Sequence, residues 1–476
     1  MNVLDHGKLH QKYFEEMTRI PHGSYHEEKY ADYLEAFARE HGFEYVRDHV
    51  SNVIIYKPAS EGYEEHGPVI LQAHTDMVCE KNEDCSHDFT SDPLDLYLED
   101  GILRARGTTL GADDGTGCSY MLAVLASDLP HPPLECVFTV QEEVGLKGAF
   151  ELKPEYFRGK RYVNLDFGGR GIGTCTTSAG GEMIDFRKPV SFSEKETAAY
   201  RILVTGLCGG HSGSCISKGY ANALKAAGRL LRAVRTLGPV ELCRLHGGEK
   251  SNAIPRECEA VFVSAADEKE LRRVFEDMAA KIRNEYRTME PGMELILEPC
   301  RAGRVLSADT SDELIRLLAL LPTGVRHMSA EIPGLPSASE NLAAVRTEGD
   351  YVEIRYSLRA EKMSLRDEME EELLALAAVS GMTPDIYSRY PSWEFNPDSA
   401  MRTVLTRLYK EQRGKEMELL ATHGGLECGV FCGMIPGLDV VTLGPETDGA
   451  HTPKEQMNME SFDRTFDLLC SFLKEL

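Results

Sequence analysis

The sequence contains 476 residues, more than a single hydrophobic core normally serves, so we expect two domains that each fold by burial alone. Hydrophobic residues make up 42% and charged residues 27% of the chain, which is typical of a soluble globular protein and not of a disordered one. The formal net charge of -25 argues against nucleic acid and membranes as partners, because both attract proteins through positive surfaces.

The sequence also indicates the compartment. The segment MNVLDHGKLHQKYFEEMTRI has neither the apolar core of a signal peptide nor a basic leader, and no later run is long enough to span a membrane. The 13 cysteines are scattered without a C-x-x-C pair, and Cys428 and Cys432 come nearest to one. This pattern favours reduced, interior cysteines over a disulfide framework or a zinc ribbon. We therefore expect a cytoplasmic protein.

The first part of the chain alternates predicted helices and strands. Helices are predicted from Leu9 to Thr18 and from Glu27 to His41, and strands are predicted in NVIIYKP and GPVILQA, which are rich in β-branched residues. A glycine-rich loop and a helix follow in GADDGTGCSYMLAVLAS, and further strands are predicted in LECVFTVQEE and RYVNLDFGG. This alternation predicts an α/β domain with a mostly parallel central sheet.

The pattern changes between about Pro189 and Tyr387. Longer amphipathic helices, such as YANALKAAGRLLRAVRTLG and EKELRRVFEDMAAKIRNEYRT, alternate there with strands, which predicts an inserted α+β domain. The α/β style returns with the strand GLDVVTLGP and a closing helix from Glu460 to Leu473. We predict a first domain in two parts, residues 1–187 and 388–476, interrupted by an inserted domain at 188–387.

Histidine and acidic residues recur where the strands of the α/β domain are predicted to end. His74 and Asp76 follow GPVILQA and, two residues apart in an extended chain, project from the same face. The other residues of this kind are Asp113, Asp114, Glu142, Glu143, Asp166 and His451. Because ligands bind beyond the carboxyl ends of strands in an open α/β sheet, we expect these side chains to converge.

Each of these residues alone has a simpler interpretation. His74 could be a surface histidine near an acid, Asp113 could favour a helix N-terminus, and Glu142 with Glu143 could form a solvated turn. Several carboxylates in one crevice would repel one another without cations, which favours a metal site. Carboxylates and imidazoles without thiolates suit Zn²⁺, with Mn²⁺ or Co²⁺ as substitutes, and two such ions about 3.5 to 4 Å apart can activate water for hydrolysis.

Several motifs occur in an order that resembles a known family. They are HTDMV, GTTLGADDGTG, FTVQEEVGLKGA, NLDFGG, GGHSG, SNAIPR, YPSW, HGGLECGVF and GAHTP, spread over about residues 74 to 453. The sequence resembles the dinuclear zinc peptidases of the aminoacylase, carboxypeptidase G and dipeptidase family, and most of all their aminoacyl-histidine dipeptidase branch (Xaa-His dipeptidase, peptidase D). The resemblance implies a zinc-peptidase catalytic domain of the α/β class, interrupted by an α+β lid domain.

The resemblance implies a role for each metal-site candidate. It implies that His74 and Asp166 bind one metal ion, that Glu143 and His451 bind the other, and that Asp113 bridges the two. The same resemblance implies a homodimer formed through the lid domain.

Two neighbours of these ligands are implied to act without binding metal. Asp76 is implied to orient the His74 ring, and Glu142 to act as the general base that moves a proton from a water bridging the metals to the leaving amine. The branch often has Asn where Asp114 stands and Ala where Gly424 stands. Neither difference touches a proposed ligand, although Asp114 adds a charge beside the bridge.

Three residues of the inserted domain are implied to contact the substrate. His211 of GGHSG is implied to stabilise the oxyanion, and Asn252 and Arg359 to hold the substrate. Arginine suits this role because its planar fork can grip a terminal carboxylate. An ordinary strand-end surface pair is the alternative for Arg359.

These observations predict a metal-dependent enzyme that hydrolyses the peptide bond of small unblocked dipeptides, among them the Xaa-His type. A tripeptidase or an N-acyl amino acid deacylase with the same metal centre is the alternative within enzymes. An inactive binding protein on the same fold is the alternative from another class. The presence of Glu142 and of every proposed metal ligand favours an enzyme.

Overall fold

The computed structural model describes residues 2–169 and 171–476, which form two compact units. The first unit comprises Met1–Ser178, Trp393–Ala421 and Leu426–Leu476. The second unit comprises Ala179–Ser392 and Thr422–Gly425. The chain therefore leaves the first unit after Ser178 and returns to it at Trp393. The short segment Thr422–Gly425 again belongs to the second unit.

The predicted helices of the first unit are confirmed to within two residues at their ends. The helices of the described chain are α1 (Leu9–Met17), α2 (Glu28–His41), α3 (Ala112–Leu125), α4 (Lys147–Glu151), α5 (Ala223–Arg235), α6 (Glu268–Tyr286), α7 (Ala308–Leu320), α8 (Met363–Val379), α9 (Ala400–Arg413), α10 (Glu427–Met434) and α11 (Met459–Glu475). Short 3-10 turns occur at Pro154–Tyr156 and Ile216–Lys218.

The strands outnumber the helices in both units. They are β1 (Glu44–Arg47), β2 (Val53–Lys57), β3 (Val69–His74), β4 (Leu96–Glu99), β5 (Ile102–Ala105), β6 (Leu134–Thr139), β7 (Arg161–Asn164), β8 (Gly173–Ser178), β9 (Gly180–Pro189), β10 (Phe192–Thr205), β11 (Gly210–His211), β12 (Val240–Gly247), β13 (Ala253–Ile254), β14 (Cys258–Ser264), β15 (Glu294–Leu306), β16 (Gly324–Met328), β17 (Pro336–Glu348), β18 (Tyr351–Ala360), β19 (Thr383–Tyr390), β20 (Glu418–Thr422), β21 (Asp439–Thr442), β22 (Thr447–Asp448) and β23 (Gln456–Asn458).

The first unit is built on a sheet with the strand order β1-β2-β6-β3-β7-β21. β3 pairs in parallel with β6 and β7, and β21 pairs in parallel with β7. β1 and β2 add an antiparallel edge, which the short connection between them permits. The predicted α/β class is confirmed, and this edge makes the mostly parallel sheet a mixed one.

The register of the parallel strands aligns their carboxyl ends. His74, the last residue of β3, pairs with Thr139, the last residue of β6, while Gln72 pairs with Asn164, the last residue of β7. β3 and β6 are buried along their whole length, as strands covered on both faces must be. The residues that follow these strands therefore begin at one edge of the sheet.

Helix α3 lies at the centre of the core of the first unit. Almost all of its residues are buried, and it packs against α1 and β3. Gly115 permits the close approach of α1, because a Cβ there would lie 2.0 Å from Cε of Met17. Further along α3, the Tyr120 hydroxyl donates to the carbonyl of Phe462 in α11 at 2.8 Å.

The second unit is an antiparallel sheet with the order β15-β10-β14-β12-β17-β18-β9-β19, and β16 pairs with β17. β12 and β17 join its two halves through only two residue pairs, His246 with Arg346 and Gly247 with Val345. α6 packs on β15 in one half, and α8 packs on β9, β18 and β19 in the other. β9 belongs to this sheet from Gly180 onward, ahead of the domain limit predicted at residue 188.

Two further expectations can be compared with the structure. Among the described residues, no helix combines the length and the apolar character needed to cross a membrane. No disulfide bond links the cysteines of the described chain.

Candidate metal centre

Four predicted site residues follow the parallel strands of the first unit. His74 ends β3, Glu142 and Glu143 lie just beyond β6, and Asp166 lies just beyond β7. Because these strands are neighbours in the sheet, their carboxyl ends bring the four side chains to one edge. The convergence expected from the sequence is therefore a result of strand order.

Asp113, near the start of α3, lies between two imidazoles. Its Oδ1 is 3.0 Å from Nε2 of His74, and its Oδ2 is 3.3 Å from Nε2 of His451, in the loop between β22 and β23. Nε2 of His451 is also 2.8 Å from Oε1 of Glu143, and Nε2 of His74 is 3.9 Å from Oδ2 of Asp166. The two oxygens of Asp113 thus face two different imidazoles.

These side chains form overlapping sets of three potential metal donors. Within each set the ligand atoms lie within 4.8 Å of one another. The sets are His74, Asp113 and Asp166; Asp113, Glu143 and His451; and His74, Glu142 and Glu143. Imidazoles and carboxylates are donors that zinc, manganese and cobalt accept, so the residues present fit a two-ion centre.

The pKa values show how strongly these charges interact. Burial alone would raise the pKa of Asp113, but hydrogen bonds from His451 and His74 hold it well below its usual value. Hydrogen bonds to Asp113 and Glu143 raise the pKa of His451 to about 10. Burial raises the pKa of Asp166 well above its usual value. Divalent ions would displace protons from the protonated members of this cluster on binding.

Asp76 connects two loops of the cluster. Its backbone carbonyl lies 2.9 Å from Nδ1 of His74, closer than its carboxylate at 3.5 Å. The carboxylate instead accepts the N–H of Glu142 at 2.9 Å, the N–H of Glu143 at 3.3 Å and the hydroxyl of Ser24 at 2.8 Å. The backbone of Asp76 contacts the imidazole, and its side chain holds the segment that follows β6.

A cavity of about 340 Å³ opens at this cluster. Its size suits a small ligand. Its lining residues include Asp113, Glu142, Glu143, Asp166, His451, Phe167, Leu426 and Thr447.

Two buried carboxylates near the cluster were missed by the sequence analysis. Glu455 is 3% exposed and accepts backbone N–H groups from the loop that carries Asp113. Glu427 is 1% exposed and accepts hydrogen bonds from Gln72 and Thr139, and burial raises its pKa to about 7. The motif HGGLECGVF contained Glu427, whereas nothing in the sequence singled out Glu455.

Asp114 is joined to Asp113 by a cis peptide bond and is buried. Its carboxylate accepts the N–H of Gly117 at 3.0 Å, within α3. Burial raises its pKa well above the usual value, which favours the neutral form. The extra charge expected at this position is therefore suppressed.

His211 and Asn252 lie on adjacent backbone segments of the second unit. β11 pairs with β13 so that His211 faces Ala253, and the N–H of Ser212 donates to the carbonyl of Asn252 at 2.8 Å. Nδ1 of His211 accepts N–H groups from Gly213 at 3.2 Å and from Ser214 at 3.3 Å. This arrangement favours the tautomer with the proton on Nε2, and burial lowers the pKa of His211.

Arg359, in β18 of the second unit, is 6% exposed. Its Nη1 donates to the Tyr390 hydroxyl at 3.1 Å and to the carbonyl of His423 at 3.4 Å, while Nε has no hydrogen-bond partner among the described residues. Burial, with the nearby Arg359 charge, lowers the pKa of His423 to about 3. The alternative of a surface ion pair does not fit a buried guanidinium that forms no ion pair with any described carboxylate.

Comparison with known proteins decides the family. The model of the peptidase family M20/M25/M40 matches residues 70–475. The chain belongs to this family. It is therefore a hydrolase, as the sequence predicted. The cytosol non-specific dipeptidase of Escherichia coli (strain K12) is 36% identical over 470 residues, covering 97% of this chain and 96% of that protein.

Solved structures agree with this assignment. The crystal structure of the aminoacylhistidine dipeptidase of Vibrio alginolyticus superposes with a TM-score of 0.92 at 33% identity, covering 99% of this chain and 97% of that one. The aminopeptidase PepT of Bacillus cereus, with a TM-score of 0.57 and 17% identity, covers 100% of this chain and 99% of that chain and shares the fold.

Proposed function

We propose that this M20 family member is a dinuclear metal-dependent dipeptidase. The observation that carries the proposal is the position of Asp113, whose two carboxylate oxygens face His74 and His451 separately. A carboxylate in such a position can be shared by two ions. The 36% identity to a non-specific dipeptidase supports dipeptides as the substrate class.

We assign His74 and Asp166 to one ion, Glu143 and His451 to the other, and Asp113 to both. Zn²⁺ is the expected ion, with Mn²⁺ or Co²⁺ as substitutes, because the donor set contains imidazoles and carboxylates and no thiolate. When bound, such ions lower the pKa of water and polarise the carbonyl of the scissile bond.

Glu142 is the group to which we assign proton transfer. The backbone N–H of Glu142 donates to the Asp76 carboxylate, and burial raises the pKa of Glu142 well above the usual value. A carboxyl group of this kind can take a proton from the attacking water and pass it to the leaving amine. Its neighbour Glu143 faces His451, which supports assigning metal binding to Glu143 and proton transfer to Glu142.

We assign substrate binding to the second unit, which we propose to be a lid. His211 can donate from Nε2 to a developing oxyanion, since its Nδ1 already accepts two backbone N–H groups. Arg359, buried and without a carboxylate partner among the described residues, is proposed to bind the terminal carboxylate of the peptide. Asn252, exposed beside the His211 strand, is proposed to hold the substrate backbone.

We further propose a cytoplasmic homodimer that assembles through the second unit, with neither nucleic acid nor membrane as a partner. The net charge of -25 supports the last part of this proposal. Light scattering of the purified protein tests the dimer.

Turnover of a substrate panel by the metal-reloaded protein tests the dipeptidase assignment. Metal-free protein is reloaded with zinc, manganese or cobalt and offered dipeptides, tripeptides and N-acyl amino acids. We expect hydrolysis of dipeptides that carry a free amine and a free carboxylate, Xaa-His peptides among them. Faster cleavage of tripeptides or N-acyl amino acids would instead indicate a tripeptidase or a deacylase. No turnover with both ions bound would indicate a binding protein.

A further inference from the structure

We infer that Glu455 is a positioning residue that holds the backbone of Asp113 in place for the metal centre. The inference rests on the proposed function, because it assigns the bridging role to Asp113. The Glu455 carboxylate accepts the main-chain N–H of Asp113 and would act on the metal centre through that backbone.

Glu455 accepts hydrogen bonds from four consecutive backbone N–H groups. Its Oε2 accepts from Leu110 at 2.8 Å and from Gly111 at 3.0 Å. Its Oε1 accepts from Ala112 at 2.8 Å and from Asp113 at 3.3 Å. With these donors on both oxygens and 3% exposure, the carboxylate is held by main-chain amides in the interior.

The loop before α3 needs such an acceptor. The first N–H groups of a helix have no intrahelical partner. Here the irregularity extends further, because Gly111 has a left-handed φ of 69° and both Asp113 and Asp114 have non-helical dihedral angles. The backbone at Asp113 therefore cannot be positioned by helical hydrogen bonds alone, and Glu455 supplies the missing acceptors.

The same side chain joins Asp113 to the loop that carries His451. Glu455 lies four residues after His451, and the intervening turn is closed by the Thr452 N–H to the Gly449 carbonyl at 3.2 Å and by the Glu455 N–H to the Thr452 carbonyl at 3.0 Å. Glu455 thus connects two residues of one proposed donor set that lie far apart in sequence. The hydrogen bonds of Glu455 consequently help to keep Nε2 of His451 at 3.3 Å from Oδ2 of Asp113.

Metal affinity is the first measurement. In Glu455→Gln, the amide NH₂ replaces one oxygen and confronts N–H groups that need an acceptor, so the loop loses part of its support. Partners that orient metal ligands typically contribute about 10- to 100-fold in affinity. We expect both ions of Glu455→Gln to bind roughly 10- to 100-fold more weakly than in the wild type, measured by competition with a chromophoric chelator.

Glu135→Gln is the matched control. Glu135 is also a buried carboxylate that accepts backbone N–H groups, from Arg158 at 2.9 Å and from Gly159 at 3.2 Å, but it lies near the start of β6, away from the residues beyond its carboxyl end. We expect Glu135→Gln to lower thermal stability without changing metal affinity. Equal loss of metal affinity in Glu455→Gln and Glu135→Gln would show that Glu455 only stabilises the fold in general, and would overturn the inference.

Hydrogen exchange of the metal-free wild type tests the same contact without a substitution. The amides of residues 110–113 should be protected from exchange before any ion is added, because Glu455 rather than metal holds them. Fast exchange of these amides in the metal-free wild type would contradict the inference even if the variants fail to fold. Glu455→Asp, which keeps the charge but is one methylene shorter, should retain more affinity than Glu455→Gln.

These measurements distinguish the positioning role of Glu455 from the proposed dinuclear centre. A wild type that binds no divalent ion, yet protects amides 110–113, would reject the dinuclear centre and leave the contact standing. A wild type with two ions and a Glu455→Gln variant of unchanged affinity would reject the positioning role alone.

Discussion

The Asp76 carboxylate accepts the backbone N–H of Glu142 at 2.9 Å. An acid that the sequence pairs with His74 therefore also fixes the segment to which proton transfer is assigned. Loops after two different strands are held together by this contact, which is how a sheet edge can present a defined set of donors.

Replacing Asp113 should affect both ions, whereas replacing His451 should affect one. Asp113→Ala removes the carboxylate whose two oxygens face His74 and His451 separately, so we expect it to lose both metal equivalents on dialysis. His451→Ala should retain close to one equivalent. Elemental analysis of the two dialysed proteins makes the comparison, and two full equivalents in Asp113→Ala would reject the shared-ligand assignment.

Glu142→Gln should separate chemistry from binding. Glutamine keeps the shape of the side chain but cannot accept the proton, and general-base catalysis contributes about 10² to 10⁴-fold to rate. We expect two bound ions, an unchanged dipeptide affinity and a kcat reduced by about 10² to 10⁴-fold or more. The neighbouring Glu143→Gln should instead lose one ion. An active Glu142→Gln enzyme would show that the base lies elsewhere.

His211→Ala should reduce kcat while leaving metal content intact. Its Nδ1 is occupied by two backbone N–H groups, so Nε2 is the nitrogen left to donate. Loss of an oxyanion donor typically costs about 10² to 10³-fold in kcat. Steady-state kinetics with a metal assay on the same sample gives both quantities, and wild-type kcat would rule out the oxyanion role.

Arg359→Ala should raise KM for peptides with a free carboxylate and spare their amides. Hydrogen bonds to charged groups contribute about 1.5 to 3 kcal/mol, which corresponds to roughly 10- to 150-fold in KM. Comparing each dipeptide with its C-terminal amide isolates the carboxylate. An equal rise in KM for both forms would place Arg359 in a structural role.

The metal-free protein should lose stability as pH rises from about 6.5 to about 10. The pKa of His451 is raised from 6.5 to about 10 in the folded protein, so its protonated form stabilises the fold fully below about 6.5 and no longer does so above about 10. Thermal melts of the metal-free wild type and of His451→Gln over this range test the effect. The melting temperature of the variant should depend less on pH, and parallel curves would contradict the assignment.

Residues at the ends of regular elements could be predicted from the sequence, and residues that act through distant main-chain groups could not. The positions of His74, Glu142 and Asp166 follow from apolar strands that end in polar side chains, a local pattern. Glu455 acts on N–H groups more than three hundred residues earlier in the chain, so no local pattern reveals it. The antiparallel pairing of β2 with β6 was likewise hidden, because a β-branched run does not encode strand direction.

The interruption of the first unit has a consequence for biosynthesis. β21, which completes the central sheet beside β7, and His451 both follow the inserted residues Ala179–Ser392 in the chain. A ribosome adds about 5 to 20 residues per second, so His74, Asp113 and Asp166 are synthesised tens of seconds before His451. During that interval the exposed edge of β7 has no partner strand. With the ligands assigned as proposed, the two-ion centre can be completed only after nearly the whole chain has been translated.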